Sequence, residues 1–177
     1  ESLERVKEEV KKILEKNRRT SEEVARRVKE LIDRNREKSK DVARKNEKIL
    51  EDLERKLRGD KDVKKILDEL EKRTRDLLRD SERSNEELRD LLRKLLEESK
   101  RTNDEIKKIL DEMDKLRSEE EVERVLRRLR ELVRENEKRL KEVLDEIRRL
   151  IRENEEKLEK AHREHKKLAE EVERRKR

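Results

Sequence analysis

The chain has 177 residues, of which 61% are charged and 28% apolar; it contains no Phe, Tyr, Trp, Cys or Pro and one Gly. The absence of Cys excludes disulfides and thiolate sites, and no apolar run is as long as a membrane span or a signal-peptide core. The 57 basic and 51 acidic residues alternate and give a net charge of only +6, whereas nucleic-acid binders concentrate basic residues on one face. A chain dominated by Glu, Lys, Arg and Leu is typical of long helices.

Two breaks divide the chain into three predicted helices. At the first break, Gly59 supplies the left-handed residue that ends a helix and Asp60 supplies an N-cap. At the second, Ser118 and Glu121 have the spacing of a capping box. Connections this short make neighbouring helices antiparallel, so the order is up-down-up. We therefore predict a single helical-bundle domain over residues 1–177, with helices over residues 2–58, 60–116 and 118–177.

Apolar residues recur every eighteen residues in each predicted helix. In the second helix, for example, the repeat carries Leu70 to Leu88 and Ile106. Eighteen residues make five turns at 3.6 residues per turn, so the apolar stripe does not drift around the helix and no supercoil is needed. The repeat continues unbroken through pairs that resemble N-caps, such as Thr20–Ser21. We expect an all-α bundle of three very long, continuous and nearly straight helices.

Sixteen polar residues interrupt the apolar stripes, and the index arithmetic groups them into three layers. The first and third helices run parallel, and facing residues on them are expected to differ by 119 in residue number. This difference pairs Asn17 with Asn136, Asn35 with Asn154 and Asn46 with His165. The first two helices run antiparallel, so the residue numbers of facing residues add up to a constant, here near 119 or 120. This sum places Thr102 opposite Asn17, Ser84 opposite Asn35 and Ser99 opposite Ser21. The first layer contains Asn17, Ser21, Ser99, Thr102, Asn103 and Asn136; the second contains Asn35, Ser39, Ser81, Ser84, Asn85 and Asn154; the third contains Asn46, Thr74, His162 and His165.

These layers are expected to make the fold specific. A buried amide or hydroxyl without a partner costs about 1–3 kcal/mol, whereas a paired one is close to neutral. A slipped register, a reversed topology or a wrong oligomer would separate the partners. A bundle of Leu, Ile and Val alone would not be penalised in this way.

The chain combines a Glu/Lys/Arg surface, short Gly59–Asp60 and Ser118 connections, Asn/Ser/Thr layers and a lack of aromatic residues. In these features it resembles de novo designed helical bundles with buried hydrogen-bond networks. The resemblance covers the whole chain. It implies a scaffold or assembly component without catalytic activity or natural localisation, expected to be soluble in the cytoplasm of an expression host. The chain departs from common members in holding three very long helices, which leaves the oligomeric state open.

Two alternatives accompany this interpretation. Glu159 and His162 have the spacing of metal ligands in helical bundles, but the facing residues are Asn46 and Thr74 rather than carboxylates, which favours a hydrogen-bonded core over a metal site. We expect no catalytic site, no cofactor and no nucleic-acid, membrane or small-molecule partner. The width of the apolar stripes fits a closed or self-associating bundle, and it also fits a three-helix binding module that accepts a further, designed helix.

Overall fold

The computed structural model describes residues 3–175, which form three long α-helices. Helix α1 spans Leu3–Lys56, α2 spans Lys61–Glu112 and α3 spans Glu119–Arg175, and a 3-10 turn, Met113–Lys115, follows α2. This confirms the predicted all-α, up-down-up three-helix bundle. The predicted helix start at residue 2 and helix end at residue 177 lie outside the described residues.

The second helix ends earlier than residue 116, the end predicted from the break before Ser118. After Glu112 the chain tightens into the 3-10 turn, in which the N–H of Leu116 donates to the carbonyl of Met113 at 3.2 Å. Leu116 itself is extended, with φ −75° and ψ 132°. Met113 is fully buried, so the turn keeps this side chain in the core while it redirects the backbone towards α3.

Both connections have the capping chemistry that the sequence predicts. Gly59 has a φ of 90°, a conformation that costs little only for glycine, and the Oδ1 atom of Asp60 accepts the N–H of Asp62 at 3.0 Å. The Oγ atom of Ser118 accepts the N–H of Glu121 at 3.2 Å, and a carboxylate oxygen of Glu121 accepts the N–H of Arg117 at 3.0 Å. The carboxylate therefore returns one residue earlier than in the usual capping box.

The helices divide into two compact units, each containing a part of α1, α2 and α3. The first unit comprises residues 3–30 and 90–147, and the second comprises residues 31–89 and 148–175. Each unit has its own apolar cluster, whose burial supplies about 1.5–3 kcal/mol for each large side chain. The cluster of the first unit contains Val6, Val10, Ile106, Met113 and Leu129, and that of the second contains Leu50, Leu53, Val63, Leu70, Ala169 and Val172. The single domain expected over residues 1–177 stays a prediction.

The outer faces of the helices are charged. Leu96 on α2 is the one large apolar side chain that is exposed among residues 3–175, with 44% of its surface accessible. Within the same residues, no helix combines the length and the apolar content needed to cross a membrane.

Candidate functional site

All sixteen polar residues assigned to the layers lie on the inner faces of the helices. Twelve of them are buried, and the other four, which are Ser84, Thr102, Asn103 and His162, are half-buried. Asn35 and Asn46 are each only 1% exposed. Asn, Ser and Thr are mediocre helix formers, so the hydrogen bonds that most of them make, and not helix propensity, explain their placement inside three long helices.

In the first layer, a chain of hydrogen bonds joins all three helices. The Nδ2 atom of Asn17 on α1 donates to Oδ1 of Asn103 on α2 at 2.8 Å. Asn136 on α3 donates from its Nδ2 atom to Oδ1 of Asn17, also at 2.8 Å. Ser99 on α2 completes the circuit with a longer bond of 3.4 Å to Oδ1 of Asn136.

The second layer repeats this arrangement with the same direction of donation. The Nδ2 atom of Asn35 donates to Oδ1 of Asn85 at 3.1 Å, and the Nδ2 atom of Asn154 donates to Oδ1 of Asn35 at 2.9 Å. Asn154 also reaches the hydroxyl of Ser39 at 3.4 Å. The predicted offset of 119 between α1 and α3 is thus confirmed in both layers.

The partners on α2 differ by one residue from those that the sequence placed opposite α1. Asn17 bonds Asn103 rather than Thr102, and Asn35 bonds Asn85 rather than Ser84, so both pairs have an index sum of 120. The hydroxyl of Thr102 instead donates to the backbone carbonyl of Glu98 at 3.1 Å. An asparagine amide is longer than a hydroxyl group and both donates and accepts, so it can bridge two helices.

Several hydroxyl groups in the layers are satisfied within their own helix. Ser39 donates to the carbonyl of residue 35 and Thr74 donates to that of Leu70, each at 3.0 Å and each four residues back. The Oγ atom of Ser21, which was expected opposite Ser99, is buried without a hydrogen-bond partner. The asparagines therefore carry the bonds between helices, while most hydroxyl groups fill space beside them.

The third layer is asymmetric. Its bond between helices joins Nδ1 of His162 to Oδ1 of Asn46 at 2.9 Å, so the ring nitrogen carries the hydrogen and donates it. The sequence paired Asn46 with His165 instead, one helical turn further along. In the structure the side chain of Asn46 bonds His162, and His165 reaches only the backbone of Asn46. His165 is only 2% exposed, and its Nε2 atom has no hydrogen-bond partner.

Burial and neighbouring cations lower the pKa of both imidazoles, which favours their neutral form. Burial is the main cause that lowers the pKa of His162 below its usual 6.5, and the charges of Lys166 and Lys45 lower it further. The pKa of His165 is lowered first by burial and then by His162 and Arg73, while a hydrogen bond to the backbone of Asn46 opposes the shift. The charged groups that act on the histidines from the three helices are therefore cationic.

The same surroundings disfavour a metal ion in the third layer. Among residues 3–175, no three His, Asp or Glu side chains are close enough to hold a metal together. The cations that surround the two imidazoles would repel a further positive charge.

Ion pairs between helices are a feature that the sequence analysis did not predict. Lys38 and Lys56 on α1 bind Glu155 and Glu173 on α3 at 2.9 and 3.0 Å. In both pairs the residue numbers differ by 117, and the two pairs lie eighteen residues apart. The eighteen-residue repeat could therefore have predicted them. Such exposed pairs each contribute about 0–1 kcal/mol and add little to the polar layers.

The layers present amide and hydroxyl groups that bond mainly to one another, an arrangement suited to holding helices together. Comparisons with protein families, with curated proteins and with solved structures find no match to this chain.

Proposed function

We propose that the protein is a designed structural scaffold without a natural biochemical activity, and that its polar layers specify its helix arrangement and assembly. One observation carries the proposal: at two levels, one asparagine from each helix enters the same donor–acceptor chain. The composition and the eighteen-residue repeat support it, since both resemble those of designed bundles.

In the first two layers, the asparagine on α1 needs hydrogen-bond partners on both neighbouring helices. Asn17 and Asn35 each donate to α2 and accept from α3, so both neighbours must be present at the correct level. Any other arrangement leaves several buried amide groups unpaired, at about 1–3 kcal/mol each. Because folded domains are stable by only about 5–15 kcal/mol, such an arrangement is not competitive.

The test removes the asparagines of both layers at once. In the full chain, Asn17, Asn103, Asn136, Asn35, Asn85 and Asn154 are replaced by Leu. We expect the parent to give one set of backbone amide signals in NMR spectra and a single species in sedimentation. The variant should remain helical and at least as stable, but should give several sets of signals or mixed oligomers, because apolar surfaces pair with less discrimination.

The matched control replaces the two threonines whose hydroxyl groups bond only within α2. Thr74→Val together with Thr102→Val preserves side-chain shape and removes no bond between helices. This variant should behave like the parent in both measurements. A six-leucine variant with one set of signals and the parent's oligomeric state would show that the layers do not specify the assembly.

The alternative function is a three-helix binding module that accepts a further helix or a second copy of the chain. The observation that favours it is Leu96, which is 44% exposed and lies one turn from half-buried Leu92 on the same helix. If this face binds another molecule of the chain, sedimentation should show species heavier than 21.9 kDa as concentration rises, and Leu96→Lys should abolish them. A monomer at all concentrations for both proteins would exclude self-association.

A further inference from the structure

A pocket that is open to solvent lies between α1 and α2 in the second unit. Its volume is about 250 Å³, and Ser39 on α1 and Ser81 and Asn85 on α2 line it. These three residues belong to the second layer, and they are only 4%, 3% and 7% exposed. The pocket therefore connects the solvent with polar groups of the layer that are otherwise enclosed by protein.

Two of these polar groups have hydrogens without an acceptor. Asn85 accepts the amide of Asn35 through Oδ1, but its Nδ2 atom, which carries two hydrogens, donates to no group among residues 3–175. Within the same residues, the hydroxyl of Ser81 forms no hydrogen bond. The unpartnered side-chain atoms that are sealed from solvent lie elsewhere, on Ser21 and His165. Solvent can therefore reach both groups through the pocket.

The serine at the equivalent position of the first layer behaves differently. Ser99 lies eighteen residues after Ser81 on α2, and its hydroxyl bonds Oδ1 of Asn136 on α3 at 3.4 Å. By the same repeat, the partner of Ser81 would be Asn154, but the bonds of Asn154 go to Asn35 and Ser39. The serine of the second layer thus needs a partner that α3 does not supply.

The spacing of the two groups suits a single water molecule. Ser81 and Asn85 are four residues apart on one face of α2, where Cβ atoms are about 5–6 Å apart. Two hydrogen bonds of about 2.8 Å from one water span this distance. The hydroxyl oxygen of Ser39 has a second lone pair and can accept a third bond, and enclosed waters typically form about three. One water needs only about 10–15 Å³ of space, far less than the pocket provides.

The rim of the pocket favours a neutral ligand over an ion. Charged residues of both signs line it, and all of them are exposed to solvent. The basic residues are Arg36, Lys40 and Arg89, and the acidic ones are Glu82 and Glu86. Because the charges nearly balance and are screened by solvent, they select neither a cation nor an anion.

We propose that the pocket holds an ordered water molecule that bridges Nδ2 of Asn85 and the hydroxyl of Ser81 and forms part of the second layer. The water accepts a hydrogen from Asn85 and extends the chain of bonds that begins at Asn154 and passes through Asn35. The second layer is therefore hydrated at α2, whereas the corresponding serine of the first layer bonds α3 directly. Such a water site does not depend on the scaffold function, and its failure would leave the bonds among the asparagines unaffected.

The test measures the transfer of magnetisation from water to the side-chain amide of Asn85 in NMR spectra of the full chain labelled with ¹⁵N. Transfer is recorded both as a nuclear Overhauser effect and as its rotating-frame counterpart. A long-lived water gives the two effects opposite signs, whereas surface water that exchanges rapidly gives them the same sign. We expect opposite signs at Asn85. Equal signs, or no transfer, would overturn the proposal.

Two alanine variants assign the water to its partners. Ser81→Ala removes one partner and should eliminate the long-lived transfer to Asn85, because a single donor holds water weakly. Ser84→Ala is the matched control, since Ser84 belongs to the same layer and the same helix but does not line the pocket. Both substitutions favour the helix to the same extent. Transfer that persists in Ser81→Ala, or that is lost equally in both variants, would contradict the bridge.

A crystal structure at high resolution supplies an independent measurement. We expect a water oxygen within about 2.7–3.2 Å of both Oγ of Ser81 and Nδ2 of Asn85. A Ser81 hydroxyl that instead bonds Oδ1 of Asn154 would show that the second layer closes directly, as the first one does, and that the water bridge is wrong.

Discussion

Replacing Asn35 alone with Leu should destabilise the protein. Asn35 is 1% exposed and forms two bonds between helices, one to Asn85 and one from Asn154. Its loss leaves Oδ1 of Asn85 without a donor, while Asn154 retains only the 3.4 Å contact with Ser39. The substitution thus disturbs groups on all three helices from one position on α1.

The size of the effect follows from these contacts. The two lost hydrogen bonds and the stranded oxygen of Asn85 together cost about 2–5 kcal/mol. Burial of the leucine side chain returns about 1.5–3 kcal/mol. Taking the middle of each range, we expect the free energy of unfolding to fall by about 1 kcal/mol, which is measurable as a lower midpoint in urea with an unchanged slope.

The decisive comparison is with the variant in which Asn35, Asn85 and Asn154 are all replaced by Leu. This variant strands no amide, and Ser39 still donates to the backbone carbonyl of residue 35. Its midpoint in urea should equal or exceed that of the parent, because an apolar layer replaces a paired polar one. The triple variant should therefore be more stable than the single one, although it carries more substitutions.

Thr74→Val is the control for the loss of a buried polar group in the same unit. The hydroxyl of Thr74 bonds only to Leu70 of its own helix, so the midpoint should change little. If Asn35→Leu also left the midpoint unchanged, the bonds of the second layer would not stabilise the protein. If the triple variant were less stable than the single one, the explanation by stranded partners would be refuted.

Two further predictions concern the third layer and the second connection. Folding lowers the pKa values of His162 and His165, so the unfolded chain binds protons more readily than the folded protein. The full stability of the folded protein is therefore present above about pH 6.5, and part of it is lost as the pH falls below that value. The urea midpoint of the parent should fall more between about pH 7.5 and about pH 5 than that of a variant with His162→Asn and His165→Asn, and an identical decrease would contradict this. Ser118→Ala removes the acceptor for the N–H of Glu121 and should cost about 1 kcal/mol in a urea melt. Ser118→Asp, which preserves capping, should cost much less, and equal losses would show that capping is not the cause.

Much of the fold could be predicted from periodicity and capping residues. Gly59 and Ser118 mark the two connections because few residues suit a left-handed turn or a helix start. The end of α2 could not be found in this way. Leu116 continues the apolar spacing, and only the 3-10 turn at Met113–Lys115 and the extended backbone of Leu116 show that the chain has already left the α-helix.

The residue offset between α1 and α3 predicted the Asn17–Asn136 and Asn35–Asn154 bonds, but the partners on α2 could not be predicted. Thr102 and Asn103 are adjacent in sequence and are separated by only about 100° around the helix, so the pattern allows either residue to face α1. The structure selects the asparagine, because the threonine hydroxyl is already satisfied by the carbonyl of Glu98. His162 and His165 present the same ambiguity one turn apart, and the structure places Nδ1 of His162 within hydrogen-bond distance of the Asn46 side chain.

The same arrangement of asparagine amides occurs twice in this protein, eighteen residues apart. The helices could therefore be lengthened or shortened by one such repeat. Asn17 and Asn35 have equivalent partners and the same direction of donation, eighteen residues apart. A further block of eighteen residues, duplicated in all three helices at that level, would return every side chain to the same side of its helix, since the insertion is five whole turns. Versions of the chain with one or three asparagine levels could thus be built by removing or adding such blocks, without new connections.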